Sequence, residues 1–321
     1  MKVCWLWAAL VSLVLFSSAG LAKEDAGTRD AIDLAVTRAL VKQWGSRPSF
    51  PESVTFAYYH VYMARALGQE ITPEIQRQIV AYIAACQQPD GGFTPAPAHT
   101  KIASTIYTYY ALLTLDLLGG SKAIDRKATI GFLRARIQKD GGMTATARAG
   151  EQASLATTYY GIEALRFLGA VDSLEKTSMA AFIQRYREQG RGFARVEGGS
   201  SIPQSTFMGV RALKSLGELT SKTSSEVVTY LKGSRYSGLV KDQQYRLLPN
   251  IEAMTFTLEA FATLAAMSQV DKDKIHEFIS SLYVPANGGF GPKPGLGTTP
   301  PSTYHAILSL VRLGELPDPA K

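Results

Sequence analysis

Thr108-Tyr109, Thr158-Tyr159, Thr206-Phe207, Thr255-Phe256 and Thr303-Tyr304 recur about every fifty residues, and Ala57-Tyr58 holds the matching place ahead of them. An aromatic repeated in one register, with His305 after the last, can wall an apolar cavity in which a few hydroxyls orient a head group. Tyr110 and Tyr160 stand beside two of the pairs. Upstream of the later pairs lie loops carrying Lys101, Arg148, Arg195, Lys241 with Arg246, and Lys293. A ring of such cations can hold a phosphate or carboxylate above the cavity. The same loops contain Glu151, Glu197 and Asp242, which with His99 and Tyr245 offer acid and base groups of the kind used by glycan hydrolases and lyases. No spacing selects a pair among them. Core packing accounts equally well for any single aromatic, and solvation for any single loop charge.

These residues need a scaffold that repeats with them. A second ladder of turns runs between the pairs: Gly91-Gly92-Phe93, Gly141-Gly142-Met143, Gly190-Arg191-Gly192-Phe193, Ser237-Gly238-Leu239 and Gly288-Gly289-Phe290. Glycine stops a helix because it takes the left-handed conformation cheaply. Segments ahead of the glycines carry charge on one side, as with Asp125, Arg126, Arg134 and Arg136, and predict an outer layer. Segments after them, such as 105–118, 155–168 and 256–267, are apolar almost all round and predict an inner layer buried on two sides. The expectation is an all-α fold of six helical hairpins closing into an α/α toroid, although an open superhelix would share the local pattern.

The 321 residues are 46% hydrophobic and 19% charged, and the repeat runs nearly end to end without a linker, so a single domain over 23–321 is expected. Met1-Lys2, the uncharged stretch from Trp5 to Phe16 and the small residues ending at Ala22 have the pattern of a secretory signal over 1–22. The reading is export to a periplasmic or extracellular space without a stable membrane span, with an N-terminal anchor as the alternative. Cys86 is then the one remaining thiol and cannot form an internal disulfide. The formal charge of +7 falls to about +6 without Lys2 and is scattered, which argues against nucleic acid as a partner.

Segment 270–279, then Gly288-Gly289-Phe290-Gly291-Pro292-Lys293-Pro294-Gly295, and Leu313-Gly314-Glu315 closely resemble the β subunit of protein prenyltransferases, with the Rab geranylgeranyltransferase type nearest. The turn Gln87-Gln88-Pro89-Asp90-Gly91-Gly92-Phe93 is also similar to the repeat of that family and of the squalene cyclases. The resemblance implies an isoprenoid site in an aromatic-lined toroid, and a zinc ion held by Asp, Cys and His that activates a thiolate. Carried over in register, the Asp position falls on Ile251 or Asn250, the Cys on Ala253 and the His on Ser302, with His305 three residues further on. Two diphosphate-binding positions fall on Ile202 and Met254. Neither the acidic DxDD element of class II terpene cyclases nor the Cys-Gln turn of thioester domains occurs.

The expected function is therefore an exported toroid that binds an isoprenoid-like or other apolar ligand, or a partner peptide or protein, with no metal or cofactor. The cavity residues are Tyr58, Tyr109, Tyr159, Phe207, Phe256, Tyr304 and His305. A divergent transferase or cyclase, or a glycan-active enzyme, is the alternative.

Overall fold

The computed structural model describes residues 32–97, 101–171, 173–233 and 250–319. Contrast in polarity between successive helices decides the layering. Six helices that are apolar nearly all round stand side by side: α2 (Val54–Ala66), α4 (Thr105–Leu117), α6 (Leu155–Phe167), α8 (Pro203–Leu216), α10 (Ile251–Thr263) and α12 (Pro300–Leu313). A helix without a polar face must be covered on both sides, and each of these packs on its predecessor and its successor. Because α12 packs in turn on α2, the ring is closed. Between them in the chain run α1 (Leu34–Gly45), α3 (Pro73–Ala85), α5 (Arg126–Arg134), α7 (Ser173–Gln184), α9 (Ser221–Gly233) and α11 (Lys272–Ser280), which form the outer layer.

Each inner helix starts at a defined residue. Ser53, Ser104, Ser154, Asn250 and Thr299 cap five of them with side-chain oxygens that accept backbone N–H groups, and Pro203 opens the sixth. The helix expected over 256–267 begins five residues earlier, at Ile251, because Asn250 caps it. It also ends earlier, at Thr263, just ahead of Ala265, whose φ of 54° is left-handed. The other two expected inner helices each stop one residue short, at Leu117 and Phe167.

The threonine of each pair has a structural task. Thr108, Thr158, Thr206 and Thr303 accept the backbone N–H of Phe93, Met143, Phe193 and Phe290 at 3.1, 2.9, 3.0 and 3.1 Å. In these four repeats the residue after the glycine turn is thus tied to the inner helix that follows, with its own side chain fully buried. Gly141 shows why the turn needs glycine. Its φ is +87°, and a Cβ there would lie 2.2 Å from the Ser178 carbonyl at the start of the next hairpin.

The outer layer closes with a contact that also occurs within the ring. Thr129 of α5 donates to the Gly91 carbonyl at 3.0 Å, and Thr37 of α1 donates to the Gly288 carbonyl at 2.7 Å. First and last repeats therefore meet as neighbours do elsewhere. Two short strands, β1 (Tyr283–Val284) and β2 (Gly289–Phe290), pair across the last turn. Among the described residues no helix is long and apolar enough to cross a membrane. The expected signal over 1–22 and its cleavage at Ala22 lie outside the described residues.

Candidate functional site

Equivalent positions on six helices of a closed ring must point to one axis, and the aromatics of the pairs do so. Ring centroids lie 5.4 Å apart for Tyr58 and Tyr110, 5.3 Å for Tyr110 and Tyr109, and 6.2 Å for Tyr109 and Tyr159. The series continues through Phe207 at 5.5 Å, Phe256 at 5.8 Å and His305 at 5.7 Å. His305 leads to Tyr304 at 5.2 Å and Tyr304 back to Tyr58 at 5.8 Å. All seven sequence-predicted cavity residues thus belong to one unbroken aromatic circuit through every inner helix.

They do not share one environment. Tyr159, Phe207, Tyr304 and His305 are buried, whereas Tyr58, Tyr109 and Phe256 are half-buried, as are Tyr59, Tyr110 and Tyr160. Burial among the inner helices pushes the phenols of Tyr58, Tyr109 and Tyr110 well above the usual tyrosine range, and that of Tyr59 up to about 12. These rings are neutral at physiological pH. The His305 imidazole is held down to about 4 by the same desolvation, and its Nδ1 is buried with no hydrogen-bond partner among the described residues. The hydroxyl of Tyr62, one turn below Tyr58, is likewise unpartnered.

Beneath the aromatics, toward the C-terminal ends of the inner helices, lie ionic clusters. Glu163 of α6 is buried and lies 3.1 Å from Arg211 of α8 and 3.2 Å from Arg166, while Ser215 donates to its second oxygen. On the opposite side Glu259 of α10 pairs with Arg312 of α12, which also reaches Asp318 at 3.0 Å. Glu163 is engaged by two guanidinium groups and a hydroxyl, and Glu259 by one guanidinium group. Arg312 is held above its ordinary value by Glu259 despite its burial.

The positions that resemblance assigns to zinc do not suit the metal. Asn250 spends its side-chain oxygen on the Ala253 N–H at 2.8 Å, as the cap of α10. Ile251 is buried, Ala253 has no ligating atom, and Ser302 accepts from the hydroxyl of Thr299 at 2.8 Å. A helix cap, two apolar side chains and a hydroxyl supply neither the negative charge nor the soft donor that a zinc site needs. Among the described residues no group of three His, Cys, Asp or Glu side chains is placed to hold a metal ion.

The prenyltransferase alpha-alpha toroid domain matches residues 49–239 and 248–320. The chain belongs to that family. Protein geranylgeranyltransferase-I of Candida albicans, solved with GGPP, superposes with a TM-score of 0.72 at 16% identity, covering 87% of this chain and 90% of that one. A type II terpene cyclase from Scytonema, in complex with geranylgeranyl dihydroxybenzoate as substrate, superposes with a TM-score of 0.61 at 13% identity over 87% of this chain and 97% of that one. The farnesyltransferase β subunit of Pisum sativum is 32% identical over 80 residues, which is 24% of this chain and 19% of the relative. Such identities to the solved structures establish the toroid and not an activity.

Within this family toroid, the loop residues divide. Lys101, Arg148, Arg195 and Lys293 are exposed, whereas Lys241 and Arg246 lie outside the described residues, with His99, Asp242 and Tyr245. Glu151 accepts from the backbone and hydroxyl of Thr146, and Glu197 pairs with Arg185, so among the described residues these two carboxylates are each engaged separately. Sequence reasoning passed over Tyr59 and Tyr62. Tyr59 stacks on Tyr304 at the seam between α2 and α12 and also borders a cleft with Trp44, Phe50, Phe56, His60 and Pro300, of about 330 Å³ including the solvent at its mouth. Doubling of the aromatic in three successive units, Tyr58-Tyr59, Tyr109-Tyr110 and Tyr159-Tyr160, is the signal that would have found it.

Proposed function

We propose that this protein is a non-catalytic receptor for an isoprenoid-like ligand, held along the axis of its aromatic ring. The single observation carrying that reading is the unbroken circuit of eight side chains from Tyr58 to Tyr304, half of whose rings keep accessible surface although they stand at the centre of the fold. Flat aromatic walls suit a flexible branched chain with several double bonds, and neutral phenols add orientation without charge. The unpartnered Nδ1 of His305 and hydroxyl of Tyr62 suit a ligand with one small polar group. That solved relatives carry GGPP and a geranylgeranyl compound supports the ligand class.

A binding role is preferred to catalysis because the reactive groups are spoken for. Glu163 and Glu259 are locked to arginines, the phenols and both buried imidazoles, His60 and His305, are neutral, and no zinc-dependent step can be derived from Asn250, Ala253 and Ser302. Export, inferred from the apolar stretch ending at Ala22, would also remove the chain from cytosolic prenyl diphosphates.

The test is to purify the protein without detergent, extract it with organic solvent and identify co-purifying lipids by mass spectrometry. A near-stoichiometric isoprenoid alcohol or related lipid is expected. Turnover of a prenyl diphosphate by the purified chain would refute the reading.

A further inference from the structure

The inner helices all run the same way, since each is reached by an outer helix that returns the chain, so their N-termini share one end of the ring. Loops at that end are laced to one another. Val54 donates its N–H to the Pro95 carbonyl at 2.8 Å, Thr105 to Ala145 at 2.8 Å and Ile251 to Pro292 at 3.1 Å. Among the described residues the exposed large hydrophobics are Ile102, Val196 and Leu296, at 38%, 62% and 50% exposure, and all three stand on these loops. Each has a cation close by in sequence: Lys101, Arg195 and Lys293, with Arg148 on a fourth loop.

Among the described residues, charge on this rim is not balanced by its carboxylates. No side-chain partner engages those four cations among the described residues, whereas Glu151 serves Thr146, Glu197 serves Arg185 and Glu188 serves Ser201 and Arg191. Asp90 and Asp140, in the glycine turns, face Arg136 and Arg185. Glu252, in the first turn of α10, and Glu52, which accepts from Ser49, are exposed at the same end, two carboxylates against the four cations.

We propose that this rim docks on an anionic lipid surface. Aliphatic tips set singly around a ring, each beside a free cation, match a bilayer interface, where the tip enters below the headgroups and the cation meets phosphate. A protein-binding face would present one contiguous patch with anchors at its centre, whereas these three tips stand singly on separate loops and none is aromatic. The mouth of the aromatic ring would then open onto the membrane. This docking stands apart from what the ring holds.

The test is flotation with vesicles of phosphatidylcholine alone or with phosphatidylglycerol added, free of isoprenoid lipid. Ile32–Lys321 form one compact unit in which the inner helices close the ring, so a chain starting at Ile32 removes the apolar N-terminus from the assay. Binding is expected on the anionic vesicles only. Loss should be on the order of 600-fold when Lys101, Arg148, Arg195 and Lys293 are all changed to Ser, about fivefold for each cation. It should also fall when Ile102, Val196 and Leu296 become Ser, and it should fall for the unaltered chain between about 0.15 M and 1 M salt, a readout that needs no variant. Absence of flotation, or flotation indifferent to salt and to both sets of changes, overturns the proposal and leaves the rim to a protein partner.

Discussion

Tyr59 of α2 and Tyr304 of α12 stack with centroids 4.1 Å apart and planes 16° from parallel, joining the last inner helix to the first. Tyr62 meets the same ring edge-on at 5.4 Å. Closure of the toroid thus rests on aromatic contact as well as on the threonine bonds of the outer layer. Tyr304→Ala should cost about 3 kcal/mol of stability. A double-mutant cycle with Tyr59→Ala should return a coupling of about 1 kcal/mol. Urea denaturation of the four proteins measures both, and additive losses would show that the stack contributes nothing of its own.

Thr158→Val keeps shape but strands the Met143 N–H inside the core, at a cost of about 1–3 kcal/mol, whereas Thr158→Ser retains the acceptor and should cost less. Thermal melts of the pair distinguish them. Equal losses would mean that the methyl group, and not the hydroxyl, matters at this position.

The threonine–aromatic register was legible in the sequence because both ladders share one period, and it marked six hairpins and, with His305 beside the last pair, seven of the eight side chains in the aromatic circuit. The reason for threonine was not legible. It lies in a bond to a residue 13 to 15 places upstream, which only the returning helix brings near. Glu163 and Arg211 are separated by 48 residues and sit on different inner helices, so nothing local in the sequence pairs them. Tyr59 stands one place beyond the register, as Tyr110, Tyr160 and His305 do, and only the closing of α12 onto α2 shows that its ring meets Tyr304.

Loss of either arginine beside Glu163 should have unequal effects. Arg166 is largely exposed and Arg211 less so, and Glu163 itself is buried. Arg211→Met should cost about 3 kcal/mol because it leaves the carboxylate short of its interhelical partner. Arg166→Met should cost under about 1 kcal/mol. Chemical denaturation at neutral pH checks the ranking, and a reversed order would contradict the pairing described.

His305 gives stability a pH dependence of definite sign. Its folded value is lowered to about 4 from an ordinary 6.5, so the unfolded chain binds the proton more readily. Its stabilising contribution is whole above about pH 6.5 and is lost as pH falls toward 4, by up to about 3 kcal/mol. His305→Phe keeps an aromatic in the circuit and removes the unpartnered Nδ1. The variant should lose less stability than the parent between pH 7 and 4, as followed by urea midpoints. Parallel profiles would place the protonation elsewhere, with His60 the next group to examine.

The central claim, that the aromatic ring is a receptor for an isoprenoid chain, is tested most directly by calorimetric titration of ligand-free protein with geranylgeraniol. The account predicts binding of one molecule per chain, weakened at least about tenfold when Tyr110 and Tyr160 are both changed to Ala in a protein that remains folded. No heat of binding to the parent protein, or equal affinity in the variant, would contradict it.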